Sequence, residues 1–286
     1  MIKTGLVLEG GAMRGIFSAG IMDVLMENGI RFDGIIGVSA GAAFGCNYKS
    51  GQIGRVIRYN KRFCRDKRYC SWQSWWKTGD LFGADFCYRQ LSDELDVFDI
   101  DTYERDPAEF YLVCTDVHTG RAHYQACPRV DADCFEWMRA SASMPLVSRV
   151  VQVGGGEYLD GAIADSIPLR FFESIGYERN VVILTQPAGF VKKDSKAMWL
   201  LKWALCKYPA LLDALQKRQI VYNETLEYVE KQAEAGKIFL FRPDLPLPVK
   251  RICHDPDILQ QTYEIGRAKA GQELLRLKQF LARKGK

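Results

Sequence analysis

Residues 37–41, with the sequence GVSAG, match the pattern G-x-S-x-G, in which a serine sits on a tight turn between a strand and a helix. Gly37 and Gly41 flank Ser39 in this elbow. The Ser39 hydroxyl can attack an ester carbonyl only if a base removes its proton. The usual base is histidine, and the chain has three: His118, His123 and His254. The elbow therefore predicts Ser39 as a nucleophile and leaves its base open.

A carboxylate is the alternative base. Asp160 opens the short motif DGA, which Gly161 and Ala162 complete, directly after the glycine-rich run GGGEYL. A carboxyl group can accept a serine proton if apolar surroundings raise its pKa above about 3.9 and it lies within hydrogen-bond reach. The neighbouring glycines allow the two backbones to approach. We predict a Ser39–Asp160 pair, in which no histidine is needed.

The glycine-rich turn GGAMRG at residues 10–15 lies between an apolar run and a helical pattern. Amides at a helix N-terminus favour negative charge, so the turn predicts either an oxyanion hole or a phosphate cradle. The dinucleotide pattern G-x-G-x-x-G is broken by Ala12, and the P-loop residues G-K-[ST] are missing. The predicted oxyanion block comprises Gly10, Gly11, Ala12, Met13, Arg14 and Gly15. Arg14 fits both an anionic head group and an ordinary helix surface.

These residues need a scaffold that brings strand ends together. Apolar runs at 4–8 and 33–38 predict buried strands, and the segments 16–28 and 40–49 predict helices. Consecutive parallel strands end at the same edge of a sheet, so the turn and Ser39 are expected to face one crevice. Further elements are predicted as strands at 110–117 and 181–186, a strand or hairpin at 150–159, and a helix at 133–143.

The 286 residues suffice for one α/β domain, alone or with an appendage, and a composition of 48% hydrophobic and 26% charged residues argues against a disordered or fibrous chain. Beyond residue 195 the pattern becomes helical, with one strand-like interruption, KIFLFRP. We predict a catalytic domain at 1–195 and a helix-rich extension at 196–286. The apolar helices at 197–215 fit a lid or an acyl-chain groove, although core packing is the simpler interpretation.

Nine cysteines are scattered without metal-ligand spacing, the chain starts without a secretory signal, and no apolar run is long enough for a membrane helix. These features predict reduced thiols and a cytoplasmic protein. The net charge of +4 is too small to indicate a polyanionic partner.

Charge is concentrated locally in residues 55–77. This segment has eight Lys/Arg residues and one acid, Asp66, interleaved with tyrosine, phenylalanine and tryptophan. It fits a solvated helix face whose aromatic residues lie in the core, or a surface that contacts anionic lipid head groups. RNA binding would need a recognisable module, and no such motif is present, so no nucleic-acid partner is expected.

Four ordered blocks of the sequence resemble the patatin-like phospholipase family. They are EGGAMRG, GVSAG, RASASMPLV at 139–147, and DGA. The resemblance implies a three-layer α/β/α sandwich with a mostly parallel sheet, and acyl-ester hydrolysis of lipids by a Ser–Asp dyad. It assigns Ser39 as nucleophile, Asp160 as base, and the amides of the glycine-rich turn as oxyanion donors. Ala12 replaces a glycine of the family, and this is expected to preserve the hole if its φ is negative.

We therefore predict a serine acyl hydrolase that acts on phospholipids or other acyl lipids and requires no metal or organic cofactor. Two alternatives remain from the sequence: a catalytically silent relative that binds lipid or acyl groups, and a nucleotide-binding α/β protein. Weaker candidate bases are His254, expected as a cap or surface residue, and Asp165, expected at a helix entry. The motif TDVHTG at 115–120 is expected to form a turn.

Overall fold

The computed structural model describes residues 2–194 and 197–283. Within these ranges the chain forms eight strands: β1 (Lys3–Leu8), β2 (Gly34–Val38), β3 (Glu109–Asp116), β4 (Ala122–Ala126), β5 (Val151–Val153), β6 (Gly156–Asp160), β7 (Tyr177–Ile183) and β8 (Ile238–Phe241). The α-helices of the same ranges are α1 (Gly15–Glu27), α2 (Ala40–Lys49), α3 (Arg55–Phe63), α4 (Trp72–Thr78), α5 (Ile100–Arg105), α6 (Ala132–Ser141), α7 (Leu169–Ser174), α8 (Met198–Ala204), α9 (Pro209–Glu234) and α10 (Pro256–Leu281). A π-helix spans Phe86–Leu95, and 3₁₀ turns span Ala12–Arg14 and Gly161–Ile163.

All eight strands join one sheet in the order β5-β6-β3-β2-β1-β7-β8, with β4 also paired to β3. The five strands from β3 to β8 in this order are parallel, whereas β4, β5 and β6 are antiparallel to their neighbours. The parallel strands are short and apolar because helices cover both of their faces. Leu6 and Leu8 face the core beneath α1, α2 and α10, whereas Val7 faces α7 and α9. The predicted α/β architecture with a mostly parallel sheet and a helical C-terminal region is confirmed.

Strands β2 and β6 meet end to end along one edge of β3. Strand β4 pairs with residues 111–115 along one edge of β3. Strand β2 pairs with residues 109–113 and β6 with residues 114–116, so both of these strands must use the opposite edge of β3. Val38 lies opposite Val113, and Asp160 lies opposite Cys114. Because β2 and β6 run in opposite directions, their C-terminal ends converge at this junction.

The C-terminal region is built into the sheet and its helical layers. The strand-like run KIFLFRP contains β8, which pairs in parallel with β7. Helix α10 packs on α1 at very short range, because a Cβ atom on Gly266 would lie 2.1 Å from Phe17 O, and one on Gly20 would lie 2.2 Å from Tyr263 O. The predicted division between residues 195 and 196 lies outside the described residues and stays a prediction.

One predicted strand differs in its bounds from the observed strand. The strand expected at 181–186 is β7, which begins at Tyr177 because the polar residues before the apolar run also pair with β1. The glycine-rich segment 150–159 forms the hairpin of β5 and β6. In the segment 197–215, Leu201, Leu205 and Leu211 pack in a cluster with Leu159 of β6, as core packing would require.

Candidate active site

Ser39 follows β2 immediately and precedes the first residue of α2. Its backbone has φ 55° and ψ −121°, a left-handed conformation that costs a non-glycine residue about 1–3 kcal/mol. The strained turn holds the hydroxyl at the strand end, where Ser39 Oγ donates a hydrogen bond of 2.8 Å to Asp160 Oδ2. Ser39 is buried, with 8% of its surface exposed.

Asp160 is the last residue of β6 and is 3% exposed. Burial raises the pKa of its carboxyl group, while the Arg218 charge, the Ala162 N–H and the Ser39 hydroxyl oppose this rise. The Ala162 amide donates to Asp160 Oδ1 over 2.8 Å, so the oxygen that does not face Ser39 is fixed as well. A buried carboxylate with a raised pKa, hydrogen-bonded to a hydroxyl, has the properties of a general base.

The segment 139–147 ties both residues to the sheet. Ser141 Oγ accepts the Ser39 N–H at 3.0 Å and donates to Val113 O at 2.7 Å. The Asp160 amide donates to Ser143 O at 2.8 Å. Sequence reasoning assigned these serines no individual role, and the signal that could have found them is two hydroxyl residues just before Pro145 in the RASASMP block.

The glycine-rich turn lies beside Ser39. A Cβ atom on Gly10 would lie 3.2 Å from Ser39 Cβ, so glycine permits this approach. Within the described part of the chain, the amides of Gly10, Gly11 and Ala12 donate to no other group. The remaining amides of the predicted block are engaged by backbone carbonyls: Met13 N donates to Arg251 O, Arg14 N to Gly11 O, and Gly15 N to Ala12 O and Met13 O.

Ala12 does not have a negative φ, which is the condition under which the sequence predicts an intact oxyanion hole. Its φ is 50°, in the left-handed region that favours glycine. An alanine there costs about 1 kcal/mol relative to its ordinary conformations, because its Cβ crowds the following carbonyl. The residue keeps its N–H in this conformation, so the change from glycine adds strain without removing the donor.

Two cavities adjoin Ser39, and they differ in character. The larger has a volume of about 390 Å³ and is mostly apolar; Ser39, Tyr59, Leu91, Met138 and Val147 are among its lining residues. The smaller, of about 40 Å³, is bordered by the dyad, by residues 9–12 and by several charged side chains. Ser39 therefore lies between an apolar cavity and a polar cavity.

The segment 55–77 contributes to the apolar cavity. Tyr59 and Tyr69 are buried and line it, whereas Trp72 lines it while remaining 68% exposed. Trp76 is 83% exposed on the same helix, α4. Many basic residues of the segment pair with nearby groups, as Arg58 does with Asp96.

The other candidate bases form hydrogen bonds with groups other than Ser39. His254 Nδ1 donates to Cys64 O, and His123 hydrogen-bonds Gln125. Asp165 accepts hydrogen bonds from Tyr124 and from the amide of Ile167, in the turn before α7.

The motif at 115–120 forms the expected turn. Asp116 Oδ1 accepts from the amides of His118 and Thr119, while the His118 ring contacts Glu157 at the surface. The histidines thus make their hydrogen bonds away from the dyad.

Comparison with known proteins decides the family. A family model described as patatin-like phospholipase matches residues 6–172, more than half of the chain. The chain belongs to the patatin-like phospholipase family. A second family model, described as a domain of unknown function (DUF6363), matches residues 208–282. The predicted lipid acyl hydrolase class is confirmed by this membership, while the roles of individual residues stay predictions.

Similar proteins come from bacteria and fungi. This patatin-like chain is 27% identical over 274 residues to the uncharacterized protein YjjU of Escherichia coli strain K12, covering 93% of the chain and 75% of that protein. It is 24% identical over 296 residues to lysophospholipase nte1 of Aspergillus niger, covering 93% of the chain but only 18% of that larger protein. VipD from Legionella pneumophila aligns with a TM-score of 0.47 and 13% identity, over 96% of this chain and 67% of that one.

Three further observations concern the described residues of this patatin-like phospholipase. They contain no group of three or more His, Cys, Asp or Glu side chains placed to hold a metal ion. In the same ranges, every helix is too short or too polar to cross a bilayer. All nine cysteines are free thiols.

Proposed function

We propose that this chain hydrolyses acyl esters of lipids with Ser39 as nucleophile and Asp160 as general base. The observation that carries the proposal is the 2.8 Å hydrogen bond between Ser39 Oγ and Asp160 Oδ2, made by a buried carboxyl group whose pKa is raised. Support comes from the strained elbow at Ser39 and from the free amides at 10–12, since Gly10 lies beside Ser39 and such amides can stabilise an oxyanion.

In the acylation step, Ser39 Oγ attacks the ester carbonyl carbon as its proton passes to Asp160. The amides of Gly10, Gly11 and Ala12 stabilise the negative charge on the carbonyl oxygen. The bond between the carbonyl carbon and the alcohol oxygen then breaks, and the departing alcohol takes the proton from Asp160. The fatty acyl group stays on Ser39 as an ester.

In the deacylation step, water replaces the alcohol. Asp160 accepts a proton from the water, whose oxygen attacks the acyl carbonyl carbon, and the same amides hold the oxyanion again. When the bond to Ser39 Oγ breaks, the proton returns from Asp160 to that oxygen, and a fatty acid is released. One carboxylate serves both steps, so proton transfer is balanced without a histidine or a metal ion.

The apolar cavity is the proposed site of the acyl chain. It reaches Ser39 and carries apolar side chains from α2, α6 and the π-helix along its length. We propose that Trp72 and Trp76 contact the surface of a membrane, because Trp72 lines this cavity and both rings are largely exposed. A lipid could then enter the cavity from the bilayer, with the enzyme as a peripheral cytoplasmic protein.

The dyad is tested by labelling with an alkyl fluorophosphonate and mapping the modified residue by mass spectrometry. We expect label on Ser39, its loss in Ser39→Ala and a drop of about 10³-fold or more in Asp160→Asn. His254→Ala serves as the control and should label as wild type. Label that persists on another residue in Ser39→Ala, with full hydrolysis, would contradict the proposal.

The cavity and the membrane contact need separate experiments. Leu91→Trp should fill part of the cavity and lower kcat/KM for long-chain esters relative to short-chain esters in the same preparation, because the longer chain no longer fits.

Trp72→Ala with Trp76→Ala should weaken co-sedimentation with anionic vesicles. Trp199→Ala, which removes an exposed tryptophan outside the cavity lining, is the matched control. If Trp199→Ala weakens vesicle binding as much as the replacement of Trp72 and Trp76 does, a docking surface at α4 is contradicted.

A further inference from the structure

The smaller cavity beside the dyad is unusually basic. Among the described residues, four cations line it: Arg14, Lys192, Arg218 and Arg251. The acids at its border are Glu9 and Asp160. These four cations come from distant parts of the chain. Arg218 and Arg251 lie in the segment 208–282, which the DUF6363 family model matches, whereas Arg14 and Lys192 lie before it.

The cavity acids do not neutralise these cations. Within residues 2–194 and 197–283, none of the four forms an ion pair with a carboxylate. Glu9 instead accepts hydrogen bonds from Thr185 and from the Tyr222 hydroxyl. Asp160 is engaged by Ser39 and Ala162. Positive charge therefore exceeds negative charge at this site, where Arg14, Lys192 and Arg218 are partly buried and Arg251 is exposed.

The cations are held in place by contacts that leave donors free. Arg218 Nε donates to Ala162 O at 2.6 Å, directly behind the base motif. Lys192 is fixed by two hydrogen bonds between its backbone and the Asn223 side chain, and its ammonium group lies 4.1 Å from the centre of the Tyr222 ring. Arg14 Nε is buried and has no hydrogen-bond partner in the described part of the chain.

Burial and the neighbouring cations both lower pKa values within the cluster. Burial, followed by the Arg218 charge, lowers the pKa of Lys192 to about 7, and Arg251 and Arg14 act in the same direction. Burial likewise lowers the pKa of Arg14. An anion in the cavity would relieve both the desolvation and the repulsion.

We propose that this cavity, the basic pocket of Arg14, Lys192, Arg218 and Arg251, binds a phosphate group on the alcohol side of the scissile ester. Guanidinium groups present paired donors that match phosphate oxygens, and four cations exceed what a single carboxylate would need. Because Ser39 borders both cavities, the acyl chain would lie on the apolar side while the phosphate lies on the basic side. The preferred substrate is then an anionic phospholipid or lysophospholipid rather than a neutral glyceride.

The inference rests on the proposed function to explain hydrolysis, but a binding experiment tests the basic pocket without requiring hydrolysis. The test measures binding of a short-chain lysophosphatidate, below its micelle concentration, to full-length Ser39→Ala by calorimetry. A monoacylglycerol with the same acyl chain is the neutral comparison. We expect tighter binding of the phosphate ester, and a loss of about 10- to 100-fold in Arg218→Gln, as for a charge-assisted hydrogen bond.

Controls separate the pocket from general charge and from folding. Lys217→Gln removes the neighbouring cation of α9, which pairs with the exposed Asp213, and should bind as its parent. Arg218→Lys should retain part of the affinity, and thermal unfolding checks that each variant folds. Equal binding of the two ligands would overturn the proposal, as would a preference that survives both Arg218→Gln and Arg251→Gln.

Two further readouts distinguish the possible failures. If inorganic phosphate alone binds Ser39→Ala as tightly as the lysophosphatidate, a free anion is the ligand and the lipid assignment is overturned. Hydrolysis by the wild type is then compared for the same two esters. Selective binding without hydrolysis of either ester would support the basic pocket and refute the acyl hydrolase mechanism. Hydrolysis of the esters without selective binding would support the mechanism and refute the basic pocket.

Discussion

The backbone of Gly161 touches the carbonyl oxygen of Val113 so closely that a Cβ atom on Gly161 would lie 2.1 Å from it. This contact lies at the junction where β2 and β6 meet along β3. It brings Asp160 to the strand end that presents Ser39, although the two residues are 121 positions apart. The glycine in the motif DGA thus permits the close approach that places Asp160 within hydrogen-bond distance of Ser39.

Gly161→Ala should therefore damage both the fold and the dyad. No side chain fits, so β6 must move away from β3, and we expect destabilisation of about 2 kcal/mol or more, as for overpacked cores. Gly271→Ala is the control, because its Cβ would meet nothing within 4 Å and should slightly stabilise α10. Denaturant unfolding and fluorophosphonate labelling measure the two effects. Normal labelling in Gly161→Ala would contradict this account of the junction.

Asp160→Asn should raise the free energy of unfolding at pH 7 while removing activity. Burial raises the pKa of Asp160 in the folded protein above its unfolded value, so the ionised form costs stability once the pH exceeds the unfolded pKa. Asparagine carries no charge and avoids this cost. The free energy of unfolding of wild type and Asp160→Asn is measured at pH 7 and pH 4, and the difference between the two proteins should be smaller at pH 4. A variant less stable than wild type at pH 7 would contradict it.

Ala12→Gly should leave activity intact, because glycine adopts a φ of 50° freely and keeps the N–H. The relief of strain, about 1 kcal/mol, is partly offset by the greater entropy of glycine in the unfolded chain. Ala12→Val should destabilise the turn and lower kcat, since a β-branched residue tolerates positive φ poorly. Steady-state hydrolysis together with unfolding separates the two variants. Equal kcat in both would mean that the turn does not shape the oxyanion site.

Ser141→Ala should loosen the nucleophile elbow. It removes the acceptor of the Ser39 N–H and the donor to Val113 O, and buried groups left without partners cost about 1–3 kcal/mol. We expect lower kcat and lower stability. Ser174→Ala, whose exposed hydroxyl bonds only Phe171 O, is the matched control and should change neither. An unchanged kcat in Ser141→Ala would show that the elbow is held by the backbone alone.

The pH profile of kcat/KM for a phosphate-bearing ester should be bell-shaped. Activity rises as Asp160, with its raised pKa, loses its proton. It falls above about pH 7 as Lys192, surrounded by Arg14, Arg218, Arg251 and Glu9, becomes neutral. Lys192→Met should remove the alkaline limb.

Arg218→Gln should move both limbs to higher pH. The Arg218 charge lowers the pKa of Asp160 and also that of Lys192, so its removal raises both. The same measurement on a neutral ester is the control, where the Lys192 limb should be absent. An acid limb that moves to lower pH in Arg218→Gln would contradict the assignment of Asp160 as base.

The sequence predicts the parts of this fold that depend on local patterns. Alternating apolar runs and glycine turns located β1, α1, β2 and α2 to within two residues, because buried parallel strands and amphipathic helices impose their own periodicity. The chemistry of Ser39 and Asp160 indicated a base other than histidine. Their distance could not be predicted, because it arises from the pairing of β6 beyond the end of β2, a non-local relation without a local signal.

The basic pocket could not be predicted for a similar reason. Arg218 lies in a long helix whose other charged residues are solvated, and Arg251 lies in a loop far along the chain. Nothing in the local sequence separates Arg218, which contacts Ala162, from its neighbour Lys217, which faces solvent. Only the packing of α9 against the base motif distinguishes the two residues.

The close packing of α10 on α1 has a consequence for biosynthesis. Helix α1 leaves the ribosome well before α10, the helix that covers it, because the two helices lie far apart along the chain. Phe17 and Ile21 therefore emerge long before their native cover exists, and the nascent chain carries an open apolar surface until α10 is made. Premature termination anywhere upstream of α10 should yield a product that engages chaperones or aggregates.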